Sequence, residues 1–337
     1  MHSQPCSPTP EIRAPRRSTR WAGIRLWCEA MPRFATIDIG TNSVLLLVAD
    51  RDADGRFTPV VERAELTRLG RGVDRTRELS REGIDATLEA VRAFSDEARA
   101  LGAEGLAISA TSAARDARNG RDFLDEARAR AGVEVEIIGG DHEARLTWRA
   151  VVQDFGGTTP LCVIDIGGGS TEYIHGTAAG HRTYERSLDI GSVRLTERFM
   201  PSDPPSPEEL THVLRHLSEA LAQLPPPPPG ARVIGVAGTV TTLQSVALGL
   251  EPYDASRIHG SALSLATLAS LTQRLAALPL EERRALPGLQ PKRADVIVAG
   301  ALILLASMQH LGATELLVGD RGVRWGLMAE RFGGGAA

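Results

Sequence analysis

Two stretches of this chain repeat one pattern: an apolar strand ending on Asp-Ile-Gly, a turn of small residues, then a second strand. The fuller copy is Val163-Ile164-Asp165-Ile166-Gly167-Gly168-Gly169-Ser170-Thr171-Glu172, and the other is Ile37-Asp38-Ile39-Gly40-Thr41-Asn42-Ser43. Leu161 to Ile166 is an apolar run of strand length broken only by Asp165. A carboxylate near the end of a buried strand must be paired, hydrogen-bonded or metal-bound. The glycines that follow permit positive φ and leave successive backbone N–H groups bare, which is what a phosphate oxygen needs from a cradle. Ser170 and Thr171 add hydroxyl donors, and Glu172 lies on a returning antiparallel strand, Thr171 to His175. One glycine-rich turn is most often structural. Two in matching positions, each opening a half of similar length, predict two phosphate clamps facing one cleft between duplicated lobes.

The length of 337 residues accommodates two ordinary domains. Hydrophobic residues at 42% and charged residues at 24% are those of a globular protein. A net charge of −4 argues against a general nucleic-acid binder, although a local basic patch could hold a polyanion. No run approaches the roughly 20 apolar residues of a membrane span. Three cysteines without a Cys-x-x-Cys pair predict neither a disulfide framework nor a zinc site, and a reducing, cytoplasmic location is expected. His212 and His216 lie four apart on an expected helix but lack a third ligand, so a solvated helix face explains them better than a metal.

Residues 1–32 read as a basic arm of Pro, Ser and Arg, with Met31 a candidate start, and residues 333–337 as a flexible tail. The first lobe is expected over 33–153 and the second over 154–332. In the first, strands are expected at Phe34–Ile37, Val44–Ala49 and Phe57–Leu66, then a helix over Arg81–Leu101 ending at Gly102. A strand at Leu106–Ser109 leads to Thr111, Ser112 and Arg115, which could meet an anion, although an ordinary N-cap with a solvent-facing arginine accounts for the same residues. A helix over Phe123–Arg130 and a strand over Val133–Ile138 follow. The next helix opens at Gly139 and runs to about Val152, with Asp141 and Glu143 suiting the dipole of its first turn. In the second lobe, strands at Leu161–Ile166, Thr171–His175 and Arg182–Leu188 precede Gly191-Ser192 at a helix head. A helix over Glu208–Leu224 sits between proline-rich connections, a strand over Val233–Val236 leads to a small-residue turn at 237–242 holding Gly238 and Thr239, and the tail reads helix (Ala294–Leu311), strand (Glu315–Val318), helix (Gly322–Glu330). Each half therefore reads βββαβα with additions, an α/β chain of duplicated ribonuclease-H-like (actin-like ATPase) fold.

The blocks Asp-Ile-Gly-Thr-Asn-Ser (38–43), Arg68-Leu69-Gly70-x-Gly72, Ala110-Thr111-x-Ala113-x-Arg115-x-Ala117-x-Asn119, Gly140-x-x-Glu143-Ala144-Arg145-Leu146, Asp-Ile-Gly-Gly-Gly-Ser-Thr-Glu (165–172) and Arg293-Ala294-Asp295 resemble, in order and spacing, the exopolyphosphatase and guanosine pentaphosphate phosphatase (Ppx/GppA) family. The resemblance covers Phe34 to Glu330. It implies a Mg²⁺-dependent hydrolase, other divalent ions being possible, that removes the terminal phosphate of polyphosphate or of pppGpp. Carried over position by position, the catalytic carboxylates fall on Glu143 and Glu172, the hairpin aspartates on Asp38 and Asp165, and the phosphate-binding arginine on Arg115. Hydrolysis of a phosphoanhydride needs an aligned water, a group to deprotonate it and donors for the phosphoryl oxygens. On this reading Glu143 serves the water, and Asp165 and Glu172 hold the metal, with Asp38 reaching it through water. Thr41, Asn42, Ser43, Arg115, Gly167, Gly168, Gly169, Ser170, Thr171, Gly191, Ser192, Gly238 and Thr239 serve the phosphates.

Two departures from the family pattern bear on function. His142 stands where an acidic residue usually precedes the catalytic glutamate, so a pH optimum does not carry over. Longer members carry a further C-terminal helical region, whereas this chain stops after its second lobe, which predicts a distributive enzyme preferring short chains, unless a homodimer supplies a longer track. Alternatives are a pppGpp phosphohydrolase, a kinase of the same superfamily with Gly235 and Gly238 in an adenosine site, and a non-catalytic polyphosphate or (p)ppGpp-binding regulator. No nucleic-acid or membrane partner is expected.

Overall fold

The computed structural model describes residues 31–334; the expectations for the N-terminal arm and the last residues of the tail lie outside them. The first half contributes β1 (Arg33–Ile39), β2 (Val44–Arg51), β3 (Phe57–Glu65), α1 (Val73–Thr76), α2 (Arg81–Ala100), β4 (Gly105–Ala110), α3 (Ser112–Asp116), α4 (Gly120–Glu126), β5 (Glu136–Ile137) and α5 (Gly140–Phe155). Its sheet runs β3-β2-β1-β4-β5, with β1 antiparallel to β2 and parallel to β4.

The second half repeats this order. Strands β6 (Leu161–Ile166), β7 (Thr171–Gly176), β8 (Arg182–Leu188) and β9 (Arg232–Val236), separated by α6 (Ser192–Phe199) and α7 (Pro207–Leu221), are followed by α8 (Ala237–Leu248), α9 (Ala255–Ile258), β10 (Ala262–Ser264), α10 (Leu265–Ala277), α11 (Leu280–Arg284), α12 (Ile297–His310), β11 (Glu315–Val318) and α13 (Val323–Phe332). The sheet runs β10-β11-β9-β6-β7-β8. In both halves three antiparallel strands continue into parallel ones, which is the duplicated actin-like arrangement read from the sequence.

Burial follows the sequence pattern. Every residue of β6 and β7 is buried, as strands in the middle of a sheet covered on both faces are. The outer strand β3 carries charges on its exposed positions, and Pro59 sits beside a register shift against β2, where the lost donor breaks no regular ladder. Helix α12, apolar all round, is the centre of the second lobe's largest core, flanked by Tyr173, Leu217, Leu243 and Leu268.

The helices that end the two halves cross over. Ala144, Trp148, Val151 and Phe155 of α5 pack on Leu161, Val163, Ile174 and Ile234, in the second sheet. Trp325 and Met328 of α13 pack on Leu47, Ala49 and Phe57, in the first. Where the two helices meet, a Cβ on Gly326 would overlap the backbone carbonyl of Leu146.

The structure refines several expected boundaries. The strand expected over Val133–Ile138 shortens to Glu136–Ile137, where it pairs in parallel with β4, and Ile138 N–H adds one more bond to the Ala110 carbonyl at 2.9 Å. The last helical turn before it widens to a π-helix over Ala127–Ala131. There is no turn at 237–242: Ala237 takes φ 71° and β9 enters α8 through that single residue. Helix α12 starts three residues after the expected Ala294, behind a 3₁₀ turn at Pro291–Arg293. His212 is exposed, but His216 packs on Phe199 with ring centroids 5.0 Å apart.

Candidate active site

The two Asp-Ile-Gly turns are built alike. Gly40 N–H donates to the Ser43 carbonyl at 2.8 Å, and Gly167 N–H donates to the Ser170 carbonyl at 3.0 Å. Each turn is then held from behind by its carbonyls. The Thr41 carbonyl accepts from Gly70 N–H (2.8 Å) and the Asn42 carbonyl from Arg68 N–H (3.1 Å). In the second turn the Gly167 carbonyl accepts from Ser192 N–H (3.0 Å) and the Gly168 carbonyl from Val193 N–H (2.9 Å). Arg194 Nε–H donates to the Gly169 carbonyl at 2.7 Å. In a trans peptide the next N–H points opposite the carbonyl. The amides of Asn42, Ser43, Gly168, Gly169 and Ser170 are thereby turned away from their anchors, and among the described residues none donates to another backbone carbonyl outside the strands.

These turns line a cleft of about 410 Å³ between the lobes. Of the residues singled out from sequence, Asp38, Thr41, Asn42, Ser43, Glu143, Asp165, Gly167, Gly168, Ser170, Ser192, Gly238 and Thr239 are on its wall. The others stand behind it. Glu172, 1% exposed, accepts from the Ser187 hydroxyl at 2.7 Å. Arg115 donates to the Ile138 carbonyl at 3.0 Å and lies 3.4 Å from Glu143 Oε2. The Thr171 hydroxyl donates to the Ile190 carbonyl. Gly169 abuts Ser112, and a Cβ on Gly191 would overlap the Gly168 carbonyl, so these two glycines allow close approach of backbone to neighbour.

At one end of the cleft four carboxylates share a poorly solvated space. Asp38 and Asp165 are the last residues but one of β1 and β6, Glu172 is paired with Asp165 across the β6–β7 hairpin, and Glu143 is in the first turn of α5. Glu143 is held well above the usual carboxylate range by burial and then by Glu172, Asp165 and Asp38, with Arg115 opposing. Burial and Asp165 push Glu172 up to about 7. Asp38 is also raised to about 7, by removal from water and by Asp165, with Arg324 opposing. Burial raises Asp165 as well, against a 2.6 Å hydrogen bond from the Thr147 hydroxyl.

Among the described residues no three Asp, Glu, His or Cys side chains form a ready-made metal cage. Mg²⁺ does not require one, because it binds through one or two carboxylates and completes its shell with water and phosphate oxygens. The donor set fits that habit: Asp38 Oδ1 is buried with no hydrogen-bond partner, and Asp38 and Asp165 face the cleft from the two lobes.

The cleft lining also holds residues to which the sequence assigned no role. Arg293 belongs to a motif that carried the resemblance, yet no role followed from it. Its Nε donates to Gln290 at 3.1 Å, a Cβ on Gly238 would overlap its guanidinium, and among the described residues no carboxylate pairs with it. Arg324, bound to Glu62, and Asp320, which accepts from Tyr253 at 2.6 Å, also line the cleft. Thr111 and Ser112, which the sequence offered as anion contacts, line the cleft as well. The Thr111 side chain caps no helix N–H, and the Ser112 hydroxyl is 2.7 Å from that of Thr41, closing the cleft floor.

The profile of the Ppx/GppA phosphatase family matches residues 47–333. The chain belongs to this family. It is 37% identical over 314 residues to exopolyphosphatase 2 of Mycobacterium tuberculosis, covering 88% of this chain and 98% of that one. The crystal structure of the Aquifex aeolicus Ppx/GppA family member aligns with a TM-score of 0.75 at 32% identity, over 89% of this chain and 97% of that chain. An exopolyphosphatase from Cytophaga hutchinsonii aligns with a TM-score of 0.81 at 25% identity, over 90% and 99%. This Ppx/GppA member is accordingly an enzyme of the phosphatase class, and among its described residues no helix is long and apolar enough to cross a membrane.

Proposed function

We propose that this Ppx/GppA member is an exopolyphosphatase that releases the terminal phosphate of inorganic polyphosphate to water in the presence of Mg²⁺. The observation that carries the reading is one cleft that brings amide, hydroxyl and arginine donors from both lobes together with a cluster of buried carboxylates. Phosphate oxygens are served by the amides of the two turns, the hydroxyls of Thr41, Ser43, Ser170, Ser192 and Thr239, and Arg293. A cation in a partly desolvated wall without a carboxylate partner is matched by an anionic ligand.

Asp38 and Asp165 would hold the metal, with Glu172 the third carboxylate behind them. Bound there, the ion would supply positive charge to the phosphoryl oxygens as the anhydride bond breaks. Glu143 positions the attacking water and takes its proton as the new P–O bond forms. The bridging oxygen leaves with the shortened polyphosphate, and the freed product is inorganic phosphate. Arg115, against Glu143, favours the ionised carboxylate that this step needs.

A second reading, hydrolysis of the 5′-terminal phosphate of pppGpp, is favoured by the aromatic part of the cleft lining. Tyr253, Ala255 and Gly288 line the cleft as well, and the Tyr253 ring is a surface of the kind on which a nucleobase stacks. Purified protein with Mg²⁺, given tripolyphosphate, longer polyphosphate and pppGpp at equal concentrations of chain ends, tests both. Phosphate release from polyphosphate with the higher kcat/KM is expected. Release from pppGpp alone would favour the second reading, and release from none would refute both.

A further inference from the structure

The residue Arg194 is 7% exposed on α6, lies outside the acid end of the site, and is anchored to three separate places. Its Nε–H donates to the Gly169 carbonyl at 2.7 Å, within the second phosphate turn. Its two remaining nitrogens reach the other lobe: Nη1 donates to Asp74 Oδ1 at 2.7 Å, and Nη2 to Asp116 Oδ2 at 2.5 Å. Asp74 is shared with Arg198, at 2.6 and 3.0 Å, and Gly72 N–H reaches across to Glu197 at 3.0 Å, so α6 meets α1 and α3 through a continuous polar seam. Asp116 is the neighbour in sequence of Arg115, which touches Glu143.

A planar guanidinium with its donors in a fixed fork cannot keep all three contacts if the lobes move apart. The Gly169 carbonyl belongs to the same rigid peptide as the Ser170 N–H, so whatever holds that carbonyl also aims that amide. We propose that Arg194 is a positioning residue that makes the donor geometry of the second phosphate turn depend on lobe closure: with the lobes together, Asp74 and Asp116 hold the guanidinium in the plane that pulls the Gly169 carbonyl back and presents the Ser170 amide to phosphate. When they part, the turn is released. Anion binding and lobe closure then favour each other without a dedicated lid. The consequence for catalysis rests on the polyphosphatase reading above; the coupling of turn to seam does not.

The test uses the full chain with Arg194→Lys, Asp74→Asn and the double variant. A lysine keeps the charge but has no fork. Hydrogen exchange read on peptides spanning 167–171, where the Gly167 amide is held by the Ser170 carbonyl, is expected to accelerate about tenfold at that protected amide in both single variants, against unchanged peptides from the centre of β6. With tripolyphosphate and Mg²⁺, kcat is expected to fall about 10- to 100-fold while KM stays within about threefold, the pattern of a lost transition-state donor. At 167–171 the double variant should exchange no faster than Arg194→Lys alone, because Asp74 reaches that turn through Arg194 and not through its separate pair with Arg198. Unchanged exchange at 167–171 in either single variant overturns the proposal whatever the activity, as do effects that multiply in the double variant. Faster exchange in an enzyme whose parent releases no phosphate would leave the coupling standing and refute the polyphosphatase reading instead.

Discussion

Glu143 combines the attributes of a general base with a surrounding that resists ionisation. Burial and three neighbouring carboxylates hold its proton, and only Arg115 opposes them. Replacing it with glutamine keeps shape and removes proton acceptance. Glu143→Gln is therefore expected to lower kcat about 10²- to 10⁴-fold while calorimetric binding of imidodiphosphate with Mg²⁺ changes only a few-fold; unchanged turnover would remove Glu143 from this role. The same acid cluster predicts a pH dependence. Asp38 and Glu172 titrate at about 7 in the folded protein, above their ordinary values of 3.8 and 4.5. The native state thus keeps protons that the unfolded chain has already released, and stability is lost as pH rises from about 4 through about 7. Metal-free protein should show a falling Tm across that window. Added Mg²⁺ should flatten the slope by favouring the ionised carboxylates, and Asp38→Asn should flatten it without metal. A flat profile in the metal-free parent would show that the four groups do not repel one another as described.

Helices α5 and α13 are placed by a close approach that a single methyl group would prevent. Since the atoms opposing a Cβ at Gly326 are backbone atoms of α5, no rotamer change can relieve the overlap. Gly326→Ala should cost about 1–3 kcal/mol by overpacking, read as a lower urea midpoint. It should also lower kcat, because α5 carries Glu143 in its first turn. An unaltered midpoint would mean that the helix pair has freedom its packing does not suggest. Gly238, against which the Arg293 guanidinium packs, makes the corresponding test in the cleft. Its alanine variant should displace the Arg293 guanidinium and raise KM for tripolyphosphate more than it lowers kcat; the reverse split would place Arg293 nearer the bond that breaks.

The scale of the whole molecule decides what length of chain it can hold. Long polyphosphate carries about one charge per phosphate and needs an extended basic track, with the steep salt dependence of polyanion binding. The net charge here is −4, and two of the cations bordering the cleft, Arg324 and Arg63, are committed to Glu62 and Glu97. On a ladder of polyphosphates at fixed concentration of ends, kcat/KM should level off within the first few units and intermediates should accumulate. A steep rise towards chains of hundreds of units without intermediates would contradict this.

The elements that hold the reacting groups were legible in the sequence because their causes are local. Apolar runs of strand length, a carboxylate at the end of each and glycines straight after fix a strand, a turn and a returning strand without reference to the rest of the chain, and their repetition announced two lobes and one cleft. Glu143 emerged through the spacing of its family motif rather than through any feature of its own helix, where an acidic first turn is ordinary. What the tertiary structure alone decided is what joins residues far apart. Arg194 meets Asp116 across 78 positions and Asp74 across 120. Nothing local marks Arg194 among the 38 basic residues, or Arg293 as a cation with no carboxylate partner among the described residues. The exchange of α5 and α13 between the sheets is equally invisible, since each helix shows a face that needs covering and no sign of which sheet will cover it. Periodicity and turn chemistry are properties of neighbours in the chain; ion-pair partners, shared desolvation and the choice between two apolar surfaces are set by the closed shape.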